Sequence, residues 1–278
     1  MQETLFHWNK SQATEFLSVV DAYIAYGLYK EISRENPQIC EIGVWRGGWI
    51  QSLYINQVDD RIVGIDPYPE LEEIKREFEE NVLSKFRNVE LYPSLNQLLA
   101  ESPEVTFDMV HIDGEHSEVA LLNDLDSSSK ILDKEGILII DDIWHESFPG
   151  VASATFKFIH NSDFTPFLIT GAKIYLCKES EHERFYESTK QILKKGNLVY
   201  QTGFEKGTYG EDYQQDNSIK GYQQIVTSGN RKNLENLLTL SNPALTKRLK
   251  FIKLVEKLIL LFVPPVIPRL LRFLPKFR

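Results

Sequence analysis

Two apolar runs that each stop at acidic residues constrain this chain more than any other feature. Residues 109–112 read as a short buried strand ending in Asp113-Gly114-Glu115-His116, and residues 136–140 read as another ending in Asp141-Asp142. A helical stretch over 118–132 separates them, as expected of strands buried in a parallel sheet. In open α/β sheets, ligands sit outside the carboxyl ends of the strands, so Asp113, His116, Asp141 and Asp142 are expected to converge on one crevice. Three carboxylates there suit a hard divalent cation, and the histidine suits proton transfer.

A second motif lies upstream. Residues 39–42 read as a strand running into Gly43-Val44-Trp45-Arg46-Gly47-Gly48, with a helix starting at Trp49. Glycines between a strand and a helix allow a tight turn and close approach of a ligand to the helix N-terminus. The next apolar run, 61–65, ends in Asp66, near the offset of roughly 20 residues at which an acid meets ribose hydroxyls in nucleotide-binding βαβ units. Trp45 breaks the dinucleotide pattern G-x-G-x-x-G and would crowd a pyrophosphate.

At these residues the chain resembles class I S-adenosylmethionine-dependent methyltransferases. Glu41-Ile42-Gly43-Val44-Trp45-Arg46-Gly47 is similar to the E-x-G-x-x-x-G form of their first motif, with Ile65-Asp66 as the second. Ile112-Asp113-Gly114-Glu115-His116-Ser117, followed by Asp124, Gly136 and Asp141-Asp142, resembles the branch of macrocin-type sugar O-methyltransferases and so-called cephalosporin hydroxylases. The resemblance spans residues 37–177. It implies that Glu41, Gly43 and Gly47 line the methionine portion of S-adenosylmethionine, that Asp66 accepts from the ribose, and that the turn near Ser94 borders the adenine. It implies further that Asp113, Asp141 and Asp142 hold magnesium and that His116 is the general base, the lysine base of catechol-type enzymes having no evident counterpart. The acceptor implied is a small hydroxylated molecule, with saccharides and lipid-linked molecules among the candidates.

The implied chemistry is coherent. Methyl transfer to a hydroxyl needs an aligned oxygen that loses its proton, which a cation and a base together provide. Plainer roles stay open beside it: Asp113 before Gly114 as a turn former, Asp141 or Asp142 as a helix cap, His116 as a surface histidine. His111 points the other way along its strand and reads as structural. His145 lies just past the acid pair, and Trp45, Trp49 and Trp144 either flank the cleft or fill the core.

The expected fold is a doubly wound, Rossmann-like α/β sheet, mostly parallel, with an antiparallel edge hairpin turning at Thr170-Gly171 and helical additions at both ends. The segments are a helical cover over 1–36, the cofactor-binding domain over 37–178, a helix and a linker or lid over 179–246, and a basic amphipathic segment over 247–278. The leading helices either cover the cofactor or join a homo-oligomer. Cys40 and Cys177 sit in apolar runs, so neither a disulfide framework nor a zinc cluster is indicated, and a cytoplasmic setting fits. No basic segment followed by a long apolar one opens the sequence.

Residues 247–278 carry nine basic side chains against one acid, a net of +8, which leaves −17 on the rest of a chain whose total is −9. Their uninterrupted apolar part, 258–267, contains two prolines and falls short of the roughly 20 residues that span a bilayer. Such a segment either contacts an anionic membrane surface, placing the protein at an inner membrane face, or docks on the acidic body or a partner. Nucleic acid is disfavoured, because the acidic remainder repels it. Two other classes stay open: a nucleotide-dependent oxidoreductase on a similar sheet, and a non-catalytic scaffold whose working part is the tail.

Overall fold

A computed structural model describes residues 19–32, 35–55, 60–69, 71–202 and 219–227 of the chain. The expectations for residues 1–18 and for the basic segment 247–278 therefore lie outside the described residues.

Short strands buried on both faces build the centre. In chain order they are β1 (Ile39–Ile42), β2 (Ile62–Ile65), β3 (Val89–Tyr92), β4 (Phe107–Ile112) and β5 (Leu132–Ile140), and all are parallel to their neighbours among the five. β1, β2 and β4 are buried along their whole length, which is why they read as continuous apolar runs rather than as an alternation. Then come β6 (Phe164–Ile169) and β7 (Ile174–Lys178), with β7 antiparallel to both β5 and β6.

The sheet order is β3-β2-β1-β4-β5-β7-β6-β9-β8. β1 leads through β2 to β3 in one direction, and β4 leads to β5 in the other. The reversal lies between β1 and β4, the kind of switch point beside which open α/β sheets bind ligands.

The expected hairpin is present, but it is not the edge. β9 (Ile225–Thr227) adds parallel to β6, and β8 (Tyr200–Thr202) adds antiparallel to β9. Left bare, β6 would present unpaired amides and carbonyls, and these two strands cover it. Both strands come from the segment expected as a helix and a linker or lid over 179–246, of which 203–218 and 228–246 lie outside the described residues.

Seven helices are described. α1 (Val19–Lys30), α2 (Gly48–Ile55), α3 (Glu72–Phe78) and α7 (His182–Lys195) cover one face with a core that includes Ile24, Leu28, Ile50, Phe78, Met109, Ile139, Tyr175 and Phe185. α4 (Leu95–Glu101), α5 (Glu118–Ile131) and α6 (Pro149–Asn161) cover the other over Val63, Val110, Leu121, Leu138 and Ala154. α3 runs on into a π-helical turn, Glu79–Leu83. Ser94 and Ser117 cap α4 and α5 by accepting from Gln97 and Ala120 amides at 3.3 Å, and Pro149 opens α6; both devices suit free amides at a helix start. Ser94 thus has a local structural task in addition to its place beside the expected adenine site.

Candidate active site

The ladder hydrogen bonds continue into the residues that the sequence singled out. Gly43 donates to Ile65 O at 2.9 Å, Asp66 to Tyr92 O at 3.0 Å, Asp113 to Ile42 O at 2.8 Å and Asp141 to Ile112 O at 3.0 Å. Each side chain leaves from a pinned strand end, so a rigid sheet rather than a loop sets their spacing.

The glycine turn packs against the β4 tip. Gly43 has φ +81°, and a Cβ placed on it would lie 2.0 Å from the Asp113 carbonyl oxygen. Only glycine fits there, on both counts. Two residues on, Trp45 also lies in the left-handed region, at φ +49°. Asp66 stabilises that conformation. Its Oδ2 accepts from Val44 and Trp45 amides at 3.0 Å each, its Oδ1 accepts from the Tyr68 amide at 2.8 Å, and the Tyr68 hydroxyl donates to Trp45 O at 2.6 Å. The carboxylate expected to meet ribose therefore also clamps the turn. Tyr68, which the sequence reading missed, completes the clamp.

Asp113, His116 and Asp142 come together. One donor atom from each lies within 4.8 Å of the others. His116 Nε2 is 3.5 Å from Asp113 and 3.1 Å from Asp142. These two carboxylates push the imidazole up to about 9, against the opposing effect of its partial burial. The ring stacks on Phe148 at 4.1 Å, and Phe148 stacks in turn on His145 at 4.3 Å. Asp142 itself adopts φ +55°.

Asp141 turns away from this trio. Its Oδ2 pairs with the Lys173 ammonium and lies 3.6 Å from His111 Nε2, while its Oδ1 accepts from the Asp142 amide at 2.8 Å. Of the three acids expected to hold magnesium, Asp113 and Asp142 thus meet beside His116, while Asp141 is paired with Lys173. Burial alone would raise the Asp141 carboxyl, but Lys173 and His111 outweigh it and hold the group well below the usual carboxylate range.

Behind the edge lies a buried polar relay. Lys173 Nζ lies 2.9 Å from His111 Nε2, and His111 Nδ1 lies 3.1 Å from Glu41 Oε1. Register explains the second contact, because Glu41 and His111 are directly paired on β1 and β4. Trp49 stacks on the His111 ring at 4.5 Å from the buried face of α2. Glu41 is 2% exposed, and its Oε2 has no hydrogen-bond partner. Burial pushes its carboxyl up to about 7, although the His111 bond opposes this. Of the tryptophans near the site, Trp49 belongs to the core, while Trp45 and Trp144 are exposed.

Parts of this chain are similar to known proteins. Residues 40–143 match the sequence family described as a methyltransferase domain. An uncharacterized protein of Schizosaccharomyces pombe is 38% identical over 79 residues, 28% of this chain. The match spans only about a quarter of that relative's length, 26%. Among solved structures, CalS11, a TDP-rhamnose 3′-O-methyltransferase of calicheamicin biosynthesis, is similar at 19% identity and TM-score 0.46, covering 57% of this chain and 79% of that one. The O-methyltransferase TomG from Streptomyces achromogenes is similar at 16% identity and TM-score 0.46, covering 58% and 81%. An O-methyltransferase from Bacillus cereus gives 16% identity and TM-score 0.46, covering 60% and 85%. Residues 40–143, which match the methyltransferase-domain family, make up the parallel half of this Rossmann-like sheet.

Proposed function

We propose that the protein is an S-adenosylmethionine-dependent O-methyltransferase that acts on a hydroxyl of a small molecule, with the metal-assisted edge formed by Asp113, His116 and Asp142. The observation that carries the reading is the meeting of these three side chains at the carboxyl edge of a methyltransferase domain, in direct backbone contact with the Gly43 turn.

The residues fit the groups they are proposed to hold. On the cofactor side, Gly43 and Gly47 shape the turn, Asp66 anchors it, and the unpartnered Glu41 Oε2 is a buried acceptor available to a cation such as a methionine ammonium. On the acceptor side, the Asp113 and Asp142 carboxylates converge within reach of one divalent ion, with the His116 imidazole beside them as the base. When held by the Asp113 and Asp142 carboxylates, a divalent cation would supply positive charge that favours both the alkoxide of an acceptor hydroxyl and the neutral form of His116. His116 is then neutral and receives the hydroxyl proton at Nε2, and its stack on Phe148 fixes the ring plane. Asp141, committed to Lys173, supports Asp142 through the amide bond at 2.8 Å.

Structural neighbours named for O-methylation of a sugar nucleotide and of a natural product motivate a saccharide or similar polyhydroxylated acceptor for the first assays. No helix among the described residues is long and apolar enough to cross a membrane, so the proposed contact with a membrane surface rests on residues 247–278.

The test is calorimetric titration with S-adenosylmethionine, with magnesium present and again with chelator, followed by detection of S-adenosylhomocysteine over a panel of hydroxylated acceptors. Saturable binding and acceptor-dependent product are expected. A folded sample that binds no S-adenosylmethionine overturns the proposal.

A further inference from the structure

We propose that Lys173 is a positioning residue for the acid and histidine edge: from the start of β7 it holds Asp141 in the orientation that sets Asp142 against His116. The inference rests on the proposed role of Asp113, His116 and Asp142, and extends it to a residue of a different strand. Among the described residues, the hydrogen-bond partners of Lys173 are Asp141, His111 and the Thr170 turn, and its charge reaches Asp113 of the trio without a hydrogen bond.

Three observations carry it. The antiparallel run of β7 brings its first residues beside the carboxyl end of β5, where Ile140 pairs with Ile174. There the two segments are tied on both sides of Asp142: Asp141 pairs with Lys173, and the Ile143 amide donates to Ala172 O at 3.0 Å. Between these ties, Asp142 takes a left-handed backbone conformation at φ +55°, which a non-glycine residue adopts only when its surroundings impose it. The Asp142 amide then donates to the free oxygen of Asp141 at 2.8 Å, and its carboxylate faces His116 at 3.1 Å.

Lys173 is itself held. Its amide donates to the Thr170 hydroxyl at 2.9 Å, its carbonyl accepts from the Thr170 amide at 2.8 Å, and the residue is 2% exposed. An ammonium buried this fully is costly unless paired and bonded, and it confers a unique geometry in return. Without it, Asp141 Oδ2 keeps only His111 at 3.6 Å, the Asp142 turn loses one of its two ties, and the spacing of the trio loosens.

The test compares the full chain with Lys173→Met. In chelated protein, the ring signals of His116 in a ¹⁵N-histidine NMR spectrum, assigned by their loss in His116→Gln, are expected to move and broaden, although Lys173 does not contact that ring. Affinity for Mn²⁺ alone, measured by calorimetry, is expected to fall tenfold or more, while affinity for S-adenosylmethionine stays within about twofold. His116 signals at their wild-type positions, or an unchanged Mn²⁺ affinity, overturn the inference. If the wild-type protein binds no Mn²⁺, the cation reading fails by itself, and the metal-free NMR signals still decide the role of Lys173. If Lys173→Met does not fold, Lys173→Gln, which removes the charge but keeps a donor, is expected to displace the His116 signals in a smaller measure, and their constancy overturns the inference equally.

Discussion

His116 Nε2 faces the Asp142 carboxylate at 3.1 Å across the ends of two parallel strands, and this pair joins the part of the edge that can move a proton to the part that can hold a cation. Replacing His116 by Ala is expected to lower the methyl-transfer rate by about 10²–10⁴, the usual contribution of a positioned base. Affinity for S-adenosylmethionine should stay within a few-fold. Rates and binding measured on the same preparation check this, and full turnover in His116→Ala removes the histidine from the chemistry.

The same pair makes stability depend on pH. The carboxylates raise His116 from 6.5 to about 9 in the folded chain, so the folded state binds its proton more tightly. The resulting stabilisation is fully present below about pH 6.5 and is lost as pH rises through about 9. Thermal melts in chelator should therefore show wild type exceeding His116→Gln most at low pH, with the gap closing above pH 9. A gap that widens with pH contradicts the assigned ion pairs.

Chelation is expected to abolish turnover and added magnesium to restore it. Asp113→Asn and Asp142→Asn should each raise the magnesium concentration needed for half-maximal rate, because each removes a charged oxygen from the trio. Chelator-resistant turnover would leave the acids with only a structural part.

Asp66→Ala removes the acceptor for three backbone amides. A loss of about 2–3 kcal/mol in unfolding free energy is expected, in line with charged acceptors whose partners are left unpaired. Cofactor affinity should fall about tenfold as the turn loosens, with cation binding retained. Denaturant titration and calorimetry separate the two effects, and equal loss of cofactor and cation binding would show that the two subsites are misassigned.

The charge carried by residues 247–278 predicts binding to anionic vesicles. Truncation before Lys247 should release the protein from such vesicles and leave turnover of a water-borne acceptor unchanged. Co-sedimentation and rate assays check it, and an unfolded truncation product favours docking on the body instead.

Much of this arrangement could be read from the sequence because the central strands are short apolar runs that end on acids. Asp66, Asp113, Asp141 and Asp142 advertise themselves by ending those runs, and the helical spacings between the strands are plain. Gly43 was legible as a turn, but its cause was not: the steric limit comes from the Asp113 carbonyl, 70 residues later, once β1 and β4 are neighbours. The same neighbour relation hid the pairing of Glu41 with His111. Lys173 was harder still. A lysine before an apolar run carries no pattern of its own, and its meeting with Asp141 depends on the antiparallel entry of β7 beside β5. β8 and β9 have three residues each, too few for an alternation to register.

The absence of a side chain at Gly43 has one more consequence. Main chain rests directly on main chain where the β1 turn meets the β4 tip, so no rotamer lies between the two proposed half-sites to absorb a change in either. Donor and acceptor are held in one fixed frame, and a shift of the turn is transmitted undamped to the first acid of the edge. In the proposed reaction, tolerance for different acceptors would then have to come from the other flank of the edge, where Trp144 is exposed and the chain leads into α6.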